Sequence, residues 1–302
     1  MTRTAPVRKR FGQHFLAPEW VAKVVAAINP QSGDTFVEVG PGHGALTRPL
    51  SARAREVIAF EIDRYLVREL RSTVPPNVIV VEGDFLETAD RLTTGDFGQA
   101  TGDSRPATGD PRLATDVPSH SFRVAANLPY NVAAPILFKL VSLRAQGVLL
   151  LDATVMLQRE VADRLIAQPG GKEYGVLSVL IQHAAEARRL LTLPPGAFRP
   201  APTVRSAVVR LTFHPAGPTV QSTHVFAAVV QAVFTRRRKT VANALTAYAG
   251  LDSVPAGRGA AIALTRAGID GRRRPETLSV AEFVRLADAL AGLTTLPATA
   301  VL

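Results

Sequence analysis

Asn127-Leu128-Pro129-Tyr130 closes an apolar run, Phe122 to Ala126. An amide oxygen followed by a backbone carbonyl can accept both hydrogens of an exocyclic amine such as that of adenine. That nitrogen is a poor nucleophile because its lone pair is delocalised into the ring. Holding both hydrogens pyramidalises it and aims the lone pair at an incoming methyl group. Asn127 would supply the amide oxygen and Leu128 the carbonyl, with Pro129 fixing the turn between them. Tyr130 can stack on an extruded base, as base-modifying enzymes require. No strong base is needed, since the nitrogen becomes acidic once alkylated. An ordinary Asn-x-Pro turn carries the same letters, so the reading depends on where the motif sits.

A donor site is spelled earlier. Thr35 to Val39 reads as a buried strand, ending in Gly40-Pro41-Gly42-His43-Gly44. Ala45, Leu46 and Leu50 then start a helical pattern. Strand, glycine turn and helix bring backbone close to an anionic or adenosyl ligand. The spacing is G-x-G-x-G; the dinucleotide fingerprint wants its third glycine where Ala45 stands. The shorter spacing suits a ligand without a pyrophosphate, such as S-adenosylmethionine, and is also compatible with a plain turn. Gly40 and Gly42 are the backbone candidates for that ligand. Glu61 follows Gly40 by 21 residues at the end of a second strand. A carboxylate there can accept from both ribose hydroxyls. Asp84, ending a third strand, could accept from an adenine amino group or serve as a helix cap.

These residues need a sheet to hold them. Val57 to Phe60, Val78 to Val81, Phe122 to Ala126 and Val148 to Met156 read as strands after Thr35 to Val39. Helical patterns at Tyr65 to Leu70 and Pro135 to Leu143 alternate with them, which indicates a parallel α/β sheet covered on both faces. Gly40, Glu61, Asp84 and Asn127 all fall at carboxyl ends of strands, where such sheets bind ligands. Residues 93–118 interrupt the pattern with Thr-Gly-Asp at 94, 101 and 108. This stretch reads as a solvated, disordered insertion.

The 302 residues carry 35 Lys and Arg against 25 Asp and Glu, a formal charge of +10. Such an excess suits a polyanionic partner, nucleic acid before membrane. The chain has no cysteine. That excludes disulfides, cysteine-ligated zinc or iron–sulfur clusters, and a cysteine nucleophile. The histidines show no metal-ligand spacing, so no metal is expected. No apolar run approaches ~18 residues, and no secretory signal is read in the basic opening, so a cytoplasmic protein is expected. Arg8, Lys9 and Arg10 belong to that opening and are candidate RNA contacts.

After the strands, Leu157 to Leu165 and Val176 to Ala187 look helical, and Leu190 to Leu193 and Val204 to Phe213 look like strands. Beyond residue 219 only helices are read: Val225 to Phe234, Lys239 to Tyr248, Ala260 to Ala267 and Val280 to Leu290, a small bundle. Arg236-Arg237-Arg238-Lys239 and Arg272-Arg273-Arg274 can grip RNA phosphates or simply line solvated helix ends.

Five motifs together resemble the small-subunit ribosomal RNA adenine dimethyltransferase family (the KsgA type). They are Gly12-Gln13-His14-Phe15-Leu16, Glu38-Val39-Gly40-Pro41-Gly42, Asn127-Leu128-Pro129-Tyr130, Phe198-Arg199-Pro200-Ala201-Pro202-Thr203-Val204 and Phe234-Thr235-Arg236-Arg237-Arg238-Lys239-Thr240. The Erm macrolide-resistance methyltransferases are more distantly similar; they usually read Asn-Ile-Pro where this chain has Asn127-Leu128-Pro129. The resemblance implies a Rossmann-like class I methyltransferase domain over 1–213 and a helical RNA-binding domain over 219–296. It implies an S-adenosylmethionine site touching His14, Leu16, Gly40, Glu61, Asp84 and Asn127, and a target adenine sandwiched by Tyr130 and Phe198. The family often has Asn where His14 stands. The implied reaction is dimethylation of two adjacent adenines in a hairpin near the 3′ end of small-subunit RNA, by a monomer acting on a pre-ribosomal particle. An Erm-type enzyme of the large subunit and a non-enzymatic assembly factor are the competing readings.

Overall fold

The computed structural model describes residues 14–97, 121–214, 219–248 and 258–293. Arg8, Lys9 and Arg10 lie outside these residues, as does the insertion beyond residue 97. In chain order the elements are β1 (Phe15–Leu16), α1 (Pro18–Ile28), β2 (Thr35–Val39), α2 (Thr47–Ser51), β3 (Glu56–Glu61), α3 (Arg64–Thr73), β4 (Val78–Glu82), α4 (Phe85–Thr88), α5 (Arg91–Thr94), β5 (Phe122–Asn127) and α6 (Ala133–Ala145). They continue with β6 (Leu150–Gln158), α7 (Arg159–Leu165), α8 (Val176–Ala184), β7 (Ala185–Leu193), β8 (Phe198–Arg199), β9 (Ser206–Phe213), α9 (Thr223–Thr235), α10 (Val241–Ala244), α11 (Arg258–Ala267) and α12 (Val280–Ala291). No helix among the described residues is long and apolar enough to cross a membrane.

Seven strands form one sheet in the order β4-β3-β2-β5-β6-β9-β7. β2 pairs in parallel with β3 on one side and β5 on the other. The chain therefore winds outward from β2 through β3 and β4, then returns to continue on β2's other edge. The crevice beyond β2 and β5 is the switch point where ligands bind in doubly wound sheets. β9 runs antiparallel to β6. An antiparallel strand starts where its parallel neighbours end, so Ser206, its first residue, is delivered to the carboxyl edge.

β2 is buried along its whole length, and its apolar residues are near-continuous because helices cover both faces. Phe36, Val24, Val25, Ile28, Met156 and Phe198 share one core beneath α1. At the opposite, amino edge lies one buried ion network. Arg123 donates to Asp34 at 2.6 Å, to Asp152 at 2.8 Å and to the carbonyls of Ile28 and Asn29. These carbonyls end α1, so the guanidinium satisfies its orphan acceptors as well as pairing two acids.

Two compact units result among the described residues, one reaching to residue 162 and including 187–213, the other formed by 163–186 and the described residues from 214 onward. This corrects the expected division at 213, because segment 163–186 belongs with the helical part. Tyr174 and Val179 are wholly buried in the core formed by Val229, Val233, Phe283 and Leu286. Two further expectations change at strand edges. Leu157 and Gln158 extend β6 through pairing with Ala207 and Ser206, and Ala185 to Ala187 begin β7 instead of continuing α8. In the helical unit Ser279 and Glu282 form a capping box on α12, with Arg273 paired to Glu282. Burial would raise the Glu282 carboxyl, but the bonds from Arg273 and Ser279 outweigh it and bring it to about 2.

Candidate active site

The chain leaves β2 through three left-handed glycines, Gly40 (φ 69°), Gly42 (φ 59°) and Gly44 (φ 80°). Side chains rarely adopt such dihedrals. Nothing lies within 4 Å of where a Cβ on Gly40 would project, so this backbone faces open cleft. At Gly42 a Cβ would meet the Phe15 ring at 2.9 Å. Ala45 and Leu46 remain in the turn, and the helix begins only at Thr47.

Glu61 is braced from both sides. Its Oε2 accepts from the Gly42 amide at 3.0 Å and its Oε1 from the Asp63 amide at 2.9 Å. A carboxylate oxygen has two lone pairs, so each retains capacity for a ligand hydroxyl. Burial raises the Glu61 carboxyl, and the amides of Asp63 and Gly42 pull against that shift. Glu38 lies in the same cleft wall and is 2% exposed. Burial, reinforced by the charge of Glu61, pushes its carboxyl up to about 8. Its Oε2 has no hydrogen-bond partner among the described residues. A carboxyl oxygen without a partner beside a braced acid suits a ligand that brings hydroxyl donors. Asp84 caps α4 by accepting from Leu86 at 2.9 Å, and it also lines the cleft.

Across the cleft stands Asn127, the last residue of β5. Its Nδ2 donates to the carbonyl of His14 at 2.7 Å. The amide is thereby oriented, and its Oδ1 takes no hydrogen bond from the described residues. Leu128 is locked by its own amide, which donates to Met156 at 3.0 Å. Pro129 accepts from the Val132 amide at 3.1 Å, closing the turn into α6. Tyr130 is held by its hydroxyl, 2.7 Å from the Ser206 Oγ. The His14 ring lies on the Tyr130 ring, centroids 5.3 Å apart and planes 27° apart. His14 Nδ1 is 2.8 Å from the Pro200 carbonyl, so that nitrogen carries the hydrogen.

One long-range pairing assembles this wall. β1 and β8 form an antiparallel pair, with Phe15 opposite Arg199 and Leu16 opposite Phe198. Phe198 itself does not line the cleft. It is 1% exposed and packed with Leu16, Phe36 and Met156, which corrects the expectation that it faces a base. The residue lying on Tyr130 is His14. Glu38 and Ser206 were not singled out by sequence reasoning for the site. An acid in an otherwise apolar strand was a signal for the first; nothing local marked the second.

Those of the candidate RNA contacts that are described lie in the helical unit. Arg236 donates to Thr246, and Arg237 to the Gly171 carbonyl. Arg238 and Lys239 are exposed and unpaired among the described residues. The amides of Val241 and Ala242 donate to the carbonyls of Arg273 and Gly271, at 2.7 and 3.1 Å. This pairing joins the two basic segments, with Arg272 and Arg274 also exposed and unpaired.

Comparison with known proteins bears on this geometry. The family described as Ribosomal RNA adenine dimethylase matches residues 5–291. The Ribosomal RNA small subunit methyltransferase A of Acinetobacter baylyi is 39% identical over 285 residues, covering 93% of this chain and 91% of the relative. A dimethyladenosine transferase from Plasmodium falciparum shares the fold with a TM-score of 0.70 at 23% identity, covering 90% of this chain and 96% of its own. The 23S rRNA methyltransferase ErmE superposes with a TM-score of 0.58 at 25% identity, covering 92% and 99%.

Proposed function

Since the chain belongs to the ribosomal RNA adenine dimethylase family, we propose that the cleft between the glycine turn and Asn127 carries out its reaction. The enzyme transfers methyl groups from S-adenosylmethionine to N6 of two adjacent adenines in a hairpin near the 3′ end of small-subunit ribosomal RNA. The product is N6,N6-dimethyladenosine.

S-adenosylmethionine supplies a methyl carbon on a sulfonium, so an N6–carbon bond forms as the sulfur–carbon bond breaks and the sulfur becomes a thioether. The chain's own groups do the rest. Gly40 and Gly42 offer bare backbone to the cofactor, while Glu61 accepts from its ribose hydroxyls and Asp84 from its adenine amine. Leu16 and His14 border the same space. Asn127 Oδ1 and the Leu128 carbonyl accept the target amine's hydrogens, which localises the lone pair on nitrogen. Tyr130 stacks on the extruded base. The amine's proton passes to solvent after alkylation, so no residue need act as a strong base.

The observation that carries this reading is the bond from Asn127 Nδ2 to His14. It leaves the amide oxygen as the group presented to the substrate. Arg238, Lys239, Arg272 and Arg274 would meet RNA phosphates, with Arg236 and Arg237 tied partly into their own unit. Arg8, Lys9 and Arg10 would add contacts from the opening segment. The protein would work as a cytoplasmic monomer on a pre-ribosomal small subunit. Purified protein, labelled cofactor and immature small or large subunits provide the test. Dimethyladenosine is expected in small-subunit RNA alone. Transfer to the large subunit instead, or none with cofactor bound, would overturn the proposal.

A further inference from the structure

The Tyr130 hydroxyl sits 2.7 Å from the Ser206 Oγ. Ser206 is 1% exposed, and its buried hydroxyl has no other partner among the described residues. It reaches the Tyr130 hydroxyl because β9 runs antiparallel to β6, where Ser206 pairs with Gln158. The segment leading to it is tied to the site twice more. Phe198 pairs with Leu16, and the Pro200 carbonyl holds the His14 ring that lies on Tyr130. Residues 198–206 thus fix the plane and reach of Tyr130 from behind.

We infer that Ser206 is a positioning residue whose hydroxyl, through Tyr130, sustains the second methyl transfer more than the first. The inference rests on the proposed function. Before the first transfer the target amine has two hydrogens, one for Asn127 and one for Leu128. After it, only one hydrogen remains, and one acceptor loses its bond. The base is then held by one amine bond and by stacking against Tyr130. A ring free to swing about its side-chain torsions therefore matters little while both amine bonds exist and much once one is gone. Ser206 touches neither the donor turn nor the reacting nitrogen.

The test uses full-length enzyme, small subunits and S-adenosylmethionine in single-turnover time courses, with digested RNA resolved into monomethyl and dimethyl adenosine. In Ser206→Ala the first transfer should slow by less than about threefold and the second by roughly three- to tenfold, the range of one lost hydrogen bond. N6-methyladenosine should accumulate. Tyr130→Phe removes the same bond from the other side and should give the same product ratio. The double variant should be no worse than either single, because only one interaction is lost. Cofactor affinity by calorimetry should be unchanged in Ser206→Ala. A wild-type ratio in both variants, or additive losses in the double variant, would overturn the inference. If Ser206→Ala proves insoluble, Tyr130→Phe alone decides by the same ratio. Absence of any methylation by the wild-type protein would instead strike the proposed function.

Discussion

The side-chain amide of Asn127 donates to the backbone carbonyl of His14 at 2.7 Å across 113 residues of sequence. The bond occupies the amide nitrogen and leaves the oxygen as the free end. Asn127→Ala should therefore abolish methyl transfer by about a hundredfold or more, the scale of losing a preorganised acceptor in a catalytic site. Asn127→Asp should fare no better, since a carboxylate cannot donate to His14. Initial-rate assays check this; near-normal turnover in either variant would exclude the proposed role.

Glu61 both faces the cleft and braces the Gly42 and Asp63 amides. Glu61→Ala should weaken S-adenosylmethionine binding by at least about tenfold and loosen the turn. Glu61→Gln should keep one acceptor oxygen and lose less. Isothermal calorimetry of both variants would show that order, and equal affinity across all three proteins would refute it.

Glu38 has the opposite titration from a surface acid. Its folded-state value of about 8 stands above the ordinary 4.5, so between these values the folded protein binds the proton and the unfolded chain does not. Stability should fall as pH rises through that window, by up to about 1.4 kcal/mol per pH unit for one proton. Glu61, raised as well, acts in the same direction. Glu38→Gln should flatten the slope, as read from denaturant midpoints at several pH values. Identical slopes in the two proteins would remove the assignment.

Arg123 pairs with Asp34 and Asp152 and satisfies the end of α1. Arg123→Ala would take from Asp34 and Asp152 the guanidinium that pairs them both, although Gln31 still donates to Asp34, Arg210 still lies 3.8 Å from Asp152, and Arg210 and Gln31 still donate to the Ile28 and Asn29 carbonyls. A loss of about 3–5 kcal/mol of unfolding free energy is expected. Urea denaturation measures it directly, and a loss below about 1 kcal/mol would show that the network is dispensable.

Arg238, Lys239, Arg272 and Arg274 form the exposed, unpaired part of the two basic segments. Replacing all four with Ala should weaken RNA binding and make the salt dependence of log K shallower by about two to four. Arg273→Ala should act mainly on stability, because Arg273 is engaged with Glu282. Filter binding across salt concentrations separates these effects; an unchanged slope in the fourfold variant would place the RNA elsewhere.

Much of the site could be read locally. Gly40, Gly42, Glu61, Asp84 and Asn127 were recognisable because each follows an apolar run, and a parallel sheet collects the ends of its strands on one edge. The family motifs were also local, and the comparisons agree with the reaction they implied. The ends of α8 and β6 were less legible. Short stretches such as Ala185 to Ala187 suit a helix or a strand until a partner is present.

By itself, then, the sequence determined the doubly wound scaffold, the glycine turn after β2 and the Asn127-Pro129 turn after β5, since these depend on periodicity, glycine dihedrals and neighbouring letters. Tertiary structure alone decided that Phe198 is core, that His14 lies on Tyr130, that Ser206 holds that ring, and that 163–186 joins the helical unit. Each of these four depends on which distant segment fills a space or meets a hydrogen-bonding group. That choice is made by the packing of the whole chain and leaves no periodic trace in the residues that make it.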